Sequence, residues 1–352
     1  HYIYSFSILS CIWVSALLVA EKQPPKEGRF PTLHIVADSI PRAHFRAMRA
    51  VWKKGLEIST EYDRKDANGR YIDPPSRDAR VLIEVTNPFI QPRYPPVSFC
   101  EIGTYIAEIM GVKDHMVVPM DKLRTAIGGN LNATEWPYTY HQRIFAHPNS
   151  IPFSGPVNQM MLAVERVART PHTRRAVVST AMPTVDPFLK EDVPCLREMQ
   201  LRCPKDVDGN LALNLNTTWR SRDLYKAWPD NVIAITFLQQ VLARQITEEL
   251  IGRPVLIGSY ADYSTSLHIY GQDFGAVGGD SERGLRSFFD NFDEETYVER
   301  SFTSKDAAEM LVLPQLRGLL TDEQIRQWRF PPESIELINW LISEIESHGL
   351  IV

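Results

Sequence analysis

The apolar positions of this 352-residue chain fall into short alternating runs and longer helical stripes, interleaved along its length. Residues 33–36 (LHIV) form a brief apolar run that predicts a strand. Residues 43–54 carry Phe45, Met48, Val51 and Trp52 at the spacing of one helix face. A turn-rich stretch, 68–78 (NGRYIDPPSRD), precedes a second predicted strand at 81–85 (VLIEV). Residues 102–110 predict a helix, whereas 121–135 show no period and read as an insert. From there the pattern sharpens. An amphipathic helix over 157–169 is followed by strands over 176–180, 196–203 and 211–219, with Asp208-Gly209-Asn210 as the hairpin signal between the last two. A long helix over 232–250, strands over 255–260 and 266–270, and polar-faced helices over 305–319 and 333–347 complete the chain. Strands and helices mix, and hairpins group in the middle. That predicts an α+β fold on a mixed, mainly antiparallel sheet flanked by helices.

Composition adds limits. With 44% hydrophobic and 23% charged residues the balance is that of a globular chain. A chain this long buries roughly three quarters of its unfolded surface, so it folds without disulfides or metal. Residues 2–20 stand apart as an apolar run of membrane-spanning length. No basic region precedes them, as a signal peptide would require. A leader or anchor, a stretch of mis-called upstream translation and a swapped or packed arm are the competing readings. A non-functional extension is the expectation, because nothing downstream looks secreted. A Pro-rich linker over 21–28 (EKQPPKEG) follows, so the chain divides into an extension over 1–29 and a catalytic domain over 30–352. The expected location is cytoplasmic, with no membrane role.

A net charge of −5 and the lack of any Lys/Arg run argue against a nucleic-acid partner but leave room for small anions held by local arginines. The four cysteines match no zinc spacing, no metal is expected, and neither a GxGxxG nor a Walker pattern is present.

Candidate chemistry gathers in five places. Cys195 follows Pro194 at the mouth of a strand and has Gln200 five residues on; a nucleophilic thiol there needs a nearby cation. Arg220-Ser221-Arg222-Asp223 ends the strand LALNLNTTW, and a guanidinium beside a hydroxyl makes a phosphate clamp. Arg174 and Arg175 lead into the apolar AVV run as a second anion site. Ser266, His268 and Tyr270 share one strand face and offer polar groups to a sugar. Residues 136–143 (WPYTYHQR), with Trp136 and Tyr140, pack in the core or stack on a base. Each has an ordinary structural explanation as a salt bridge, a solvated turn or a half-buried histidine. Their joint order does not.

That order, TRR, then PC with Gln five residues after the Cys, then RSxD, an Asn, and HxY, resembles the thymidylate synthase family over residues 173–274. Further upstream the chain is similar to a longer, divergent branch with a YTYHxR segment. The resemblance implies that fold, with one sheet face forming a dimer interface and active sites shared across a homodimer. It implies C5 methylation of dUMP with 5,10-methylenetetrahydrofolate as cosubstrate. In this reading Cys195 adds to C6 of the pyrimidine. Arg220 and Ser221 hold the phosphate, Arg220 also stabilises the thiolate, and Arg174 and Arg175 reach the phosphate of the other subunit. Gln200 orders the nucleotide, His268 and Tyr270 bind the ribose 3′-hydroxyl, and Asp223 meets the pterin. Asn231 pairs with uracil, where an Asp in the same place would suit cytosine. A catalytic glutamate is expected at Glu108 or Glu101, with Glu108 preferred. Arg77, in the turn SRDAR, resembles the family's mobile phosphate arginine.

Departures from the pattern are Leu196 in place of the usual His, a longer interval from Cys195 to RSxD, the absent ELLWFL helix and an atypical C-terminus. They leave the fate of the one-carbon unit open. The alternative is a pyrimidine nucleotide 5-hydroxymethylase, acting on dUMP, dCMP or CMP with the same folate. Outside the family stand a non-catalytic nucleotide binder and a Cys–His hydrolase, the latter needing His268 or His141 against Cys195.

Overall fold

The computed structural model describes residues 28–96, 101–126, 131–132, 134–148, 155–189, 193–275 and 283–348. The apolar extension, the middle of the expected insert and the last four residues lie outside them.

One mixed sheet organises the chain. Its strands are β1 (Thr32–Ala37), β2 (Leu56–Ile58), β3 (Ser76–Val85), β4 (Val177–Ser179), β5 (Leu196–Arg202), β6 (Leu211–Trp219), β7 (Arg222–Asp223) and β8 (Val255–Ile269). The main order is β1-β3-β8-β6-β5-β4, with β2 on β3 and β7 on β8. Pairings of β2–β3, β3–β8, β4–β5 and β5–β6 are antiparallel, and those of β1–β3, β6–β8 and β7–β8 are parallel. The fold is α+β, as the pattern predicts.

The helices are α1 (Ile40–Lys54), α2 (Ile102–Ile109), α3 (Met120–Ala126), α4 (Tyr140–Phe145), α5 (Gln159–Arg169), α6 (Ala227–Gln245), α7 (Arg283–Asn291), α8 (Glu294–Glu299), α9 (Ser304–Ala307), α10 (Leu313–Leu319), α11 (Asp322–Trp328) and α12 (Pro332–His348). The apolar stripe of α1, including Ala43, Met48 and Val51, shares one core with Val81 and Ile83 of β3. Helix α6 is buried from Trp228 to Gln240. A helix so enclosed must satisfy its polar side chains internally. Thr236 donates to Val232 O at 2.6 Å, and Gln239 donates to Leu213 O at 2.8 Å.

Several boundaries differ from the sequence pattern, among them that of α6, which begins at Ala227 rather than at 232; three of the differences have a plain physical reason. The turn ends at Asp73-Pro74, and β3 begins at Ser76; Arg77 is therefore a strand residue, paired in register with Ile269 rather than carried on a loop. The two short strands expected over 255–260 and 266–270 are one strand, β8. Its middle, ADYST, reads as polar, yet Asp262 and Ser264 face inward, Asp262 against Arg222. The helix expected over 305–319 is broken into α9 and α10 by a π-helical turn over Ala308–Val312. Pro314, which has no N–H to give, begins the next segment there.

Candidate active site

The hairpin of β5 and β6 sets the stage. Its turn is closed by Asp206, whose carboxylate accepts from the N–H groups of Asp208 and Asn210, while Gly209 takes φ +83°, a conformation that favours glycine. At the other end, Cys195 precedes β5 and Arg220 follows β6. The Arg220 N–H donates to Cys195 O at 2.8 Å. The guanidinium returns to the backbone before the cysteine: Nη2 donates to Val193 O at 2.6 Å, and Nε to Pro194 O at 3.3 Å. Cys195 is half-buried. Its N–H and that of Leu196 both donate to the Tyr140 hydroxyl, at 3.2 and 3.3 Å. The half-buried thiol and the Arg220 guanidinium thus reach the same carbonyl, Sγ lying 3.9 Å and Nη2 2.6 Å from Val193 O.

From Tyr140 a packed chain runs inward. Its ring stands edge-on to Trp219 with centroids 6.0 Å apart, and the Arg222 guanidinium lies 3.9 Å from the Trp219 ring centre. Arg222 donates to Asp262 at 2.8 Å and to Asn231 Oδ1 at 3.0 Å, all three side chains being buried. Asn231 Nδ2 donates to the Tyr105 hydroxyl at 2.7 Å. Tyr105 comes from α2, the helix expected to supply a catalytic glutamate.

A second limb descends from β8. Ser266 Oγ donates to Asp78 at 2.8 Å and lies 3.2 Å from His268 Nδ1. With the serine proton given to Asp78, Nδ1 carries the histidine proton, and the buried Nε2, which has no hydrogen-bond partner, is an acceptor. Burial lowers His268 to about 4, so the ring is neutral at pH 7, and it raises Asp78 to about 6. Tyr270 packs edge-on to His268 at 4.4 Å. Burial raises the Tyr270 phenol, and the charges of Asp223, Tyr62 and Cys195 add to the effect. Asp223 is pushed up to about 6 by burial; one of its oxygens accepts from the N–H groups of Tyr225 and Lys226.

The expected residues thus separate into two groups. Cys195, Tyr140, Arg220 and Asn231 are linked along the first limb, His268 and Tyr270 along the second, with Asp223 opposite His268 in the β7–β8 pairing and Ser221 between Arg220 and β7. The others sit elsewhere. Arg174 and Arg175 are exposed at the sheet edge, where Gln200 donates to Arg174 O at 3.2 Å. Glu101 is the exposed residue before α2. Glu108, raised by burial, pairs with Lys113 at 3.3 Å, and that lysine lies 5.0 Å from the Trp136 ring centre. Arg77 pairs with Glu57 at 2.5 Å and lies over Trp52. It lines a basic cleft of about 260 Å³ with Arg49, Lys53 and Arg286. The two histidines a Cys–His hydrolase would need are engaged otherwise, His141 with Asp114 at 2.6 Å and His268 with Ser266.

Two participants escape sequence reasoning. Arg222 is the unspecified position of RSxD, and Tyr105 sits among apolar residues that explain it as core. Among the described residues, no group of three His, Cys, Asp or Glu side chains could hold a metal, and no helix is long and apolar enough to cross a membrane.

Comparisons with known proteins point to one family. The thymidylate synthase family model matches residues 127–288, which span Cys195, Arg220, Asn231 and His268. A protein of Methanosarcina acetivorans, provisionally named thymidylate synthase, is 30% identical over 254 residues, covering 71% of this chain and 96% of that protein. One of the same provisional name from Methanocaldococcus jannaschii is 24% identical over 245 residues, covering 68% of this chain and 90% of that protein. The solved structure of a thermostable thymidylate synthase A from Bacillus subtilis aligns with TM-score 0.45 and 18% identity over 66% of this chain and 80% of that one. The chain belongs to the thymidylate synthase family, whose members are one-carbon transferases acting on a nucleotide and a folate.

Proposed function

We propose that this chain methylates dUMP at C5 through a transient bond between Cys195 Sγ and C6 of the base, with 5,10-methylenetetrahydrofolate as cosubstrate. The observation that carries the reading is the half-exposed Cys195 held at a strand end, with the Arg220 guanidinium on the carbonyls of the two residues before it. Addition of the thiolate to C6 moves an electron pair toward O4 and makes C5 nucleophilic. When bound, the folate supplies a methylene group and a hydride. Everything else is done by protein side chains.

Arg220 favours the thiolate and, with Ser221, holds the phosphate. Asn231 reads the base edge. His268 Nε2, a bare acceptor, accepts a hydrogen bond from the ribose 3′-hydroxyl, and Tyr270 bounds the sugar. Asp223 suits the pterin: one oxygen is engaged by Tyr225 and Lys226, and a carboxyl raised by burial gains from further N–H donors. Of the two glutamates we assign Glu108 to act near the base, because it is half-buried and held by Lys113 while Glu101 is exposed. Arg174, Arg175 and Gln200 would serve the neighbouring subunit of a homodimer. The outer sheet face, where Val36, Leu82 and Leu256 are exposed, is the surface for that pairing.

The test is incubation with dUMP, dCMP and CMP plus the folate, with product mass as readout. A methylated dUMP is expected. A hydroxymethylated product moves the chain to the hydroxymethylase reading. No product from any nucleotide, and no covalent adduct with 5-fluoro-dUMP, overturns both.

A further inference from the structure

An asparagine amide does not tell uracil from cytosine unless something fixes which end is oxygen. Uracil presents a proton at N3 and an oxygen at C4; cytosine presents a bare N3 and an amino group. A base held in one seat therefore needs the amide one way round for uracil and the other for cytosine. The two differ by a half-turn about a soft sp³–sp² torsion.

Asn231 lacks that freedom. Arg222 Nε donates to its Oδ1 at 3.0 Å, and a guanidinium only donates, so the oxygen must face it. Nδ2 donates to the Tyr105 hydroxyl at 2.7 Å. Arg222 is itself fixed by Asp262 at 2.8 Å and by Trp219, and Asn231, Arg222, Asp262 and Trp219 are all buried. A half-turn would set the amide N–H₂ against the guanidinium, leaving buried donors facing each other.

We infer that Arg222 is a specificity-determining residue of the pyrimidine pocket, locking the Asn231 amide in the orientation that reads uracil, while the Tyr105 hydroxyl, which can donate or accept, steadies the amide either way round. The inference rests on the nucleotide reading above and adds the residues behind the base contact. Beyond its two internal bonds, Asn231 keeps one N–H and one oxygen lone pair, which is what a uracil edge requires. Neither Arg222 nor Tyr105 need touch the nucleotide; both act through Asn231, as positioning residues.

Two variants test this. Tyr105→Phe keeps the ring and removes the acceptor. Arg222→Gln replaces a pure donor with an amide that turns either way. Tritium release from C5-labelled dUMP and dCMP is measured with folate present, and folding is checked by thermal melting. The dUMP-to-dCMP rate ratio is expected to fall about tenfold or more in Arg222→Gln, the worth of one hydrogen bond, and to change less than about threefold in Tyr105→Phe, which lowers both rates alike. An unchanged ratio in folded Arg222→Gln overturns the inference even if both rates drop, since a merely structural role lowers both alike. If Arg222→Gln does not fold, Arg222→Met, which keeps the bulk and removes every donor, is measured in its place by the same criterion. Release from neither nucleotide by the unaltered protein overturns the nucleotide reading, and this inference with it.

Discussion

Two cysteines stand at opposite ends of β5, one residue before it and one residue after. Cys195 is half-buried, with Arg220 bracing the backbone beside it. Cys203 is fully buried, and its thiol is pushed up to about 11 because burial disfavours the charged form; Arg253 only partly offsets this. The side chain and the strand are the same, and only the surroundings differ. A thiol becomes a candidate nucleophile where the sheet end opens toward arginine, and an inert apolar filler where the core closes over it.

The largest expected effect on that contrast comes from the sulfur itself. Cys195→Ala should lower turnover by at least about 10⁴-fold, as loss of a covalent nucleophile does, while isothermal titration still detects nucleotide binding. Equal loss from Cys203→Ala would erase the distinction. Next is the cation at each end. Arg220→Ala should reduce kcat/KM by about 10²- to 10³-fold, the usual worth of one charge-stabilising donor, whereas Arg253→Ala should leave it nearly unchanged.

A third measurement uses pH. His268 falls to about 4 when folded, from 6.5, so between those values the unfolded chain binds the extra proton. Stability owed to this residue is intact above pH 6.5 and declines as pH drops toward 4. Against His268→Gln, which carries no such proton, the unaltered protein should lose about 2–3 kcal/mol across that window in chemical denaturation. A constant difference would show that the ring is not held neutral. The smallest effect sharpens the comparison from the inert side. Cys203→Ala should cost about 1–2 kcal/mol in stability through lost packing, with turnover retained. Peptide mapping after iodoacetamide treatment should find Cys195 modified in folded protein and Cys203 only after unfolding.

How much of this the sequence disclosed follows from what patterns can encode. The β5–β6 hairpin was legible because its turn residues are specific and β6 alternates strictly, with Leu211, Leu213, Leu215, Thr217 and Trp219 inward. The order of Cys195, Arg220, Asn231 and His268 pointed to one end of the sheet for the same reason: each borders or closes a readable element. The continuity of β8 was hidden because Asp262 and Ser264, buried beside Arg222 and α6, look like loop residues to any rule that equates polar with exposed. Tyr105 was hidden in the opposite way, as an aromatic among aliphatics whose hydroxyl has a use only once Asn231 folds against it. Arg77 looked mobile amid prolines and glycine, but its backbone completes a ladder with Ile269.

The unbroken course of β8 has a mechanical consequence. One rod carries Tyr260 and Asp262 behind Arg222, then Ser266 and His268 at the far limb. Adding a single residue in its middle would turn every later side chain to the opposite face, detaching the histidine limb while leaving the arginine limb in place. The hairpin tip around Gly209 has no such leverage, so the family's length variation between Cys195 and Arg220 has a harmless place to accumulate there, and β8 is the stretch where insertions should be fatal.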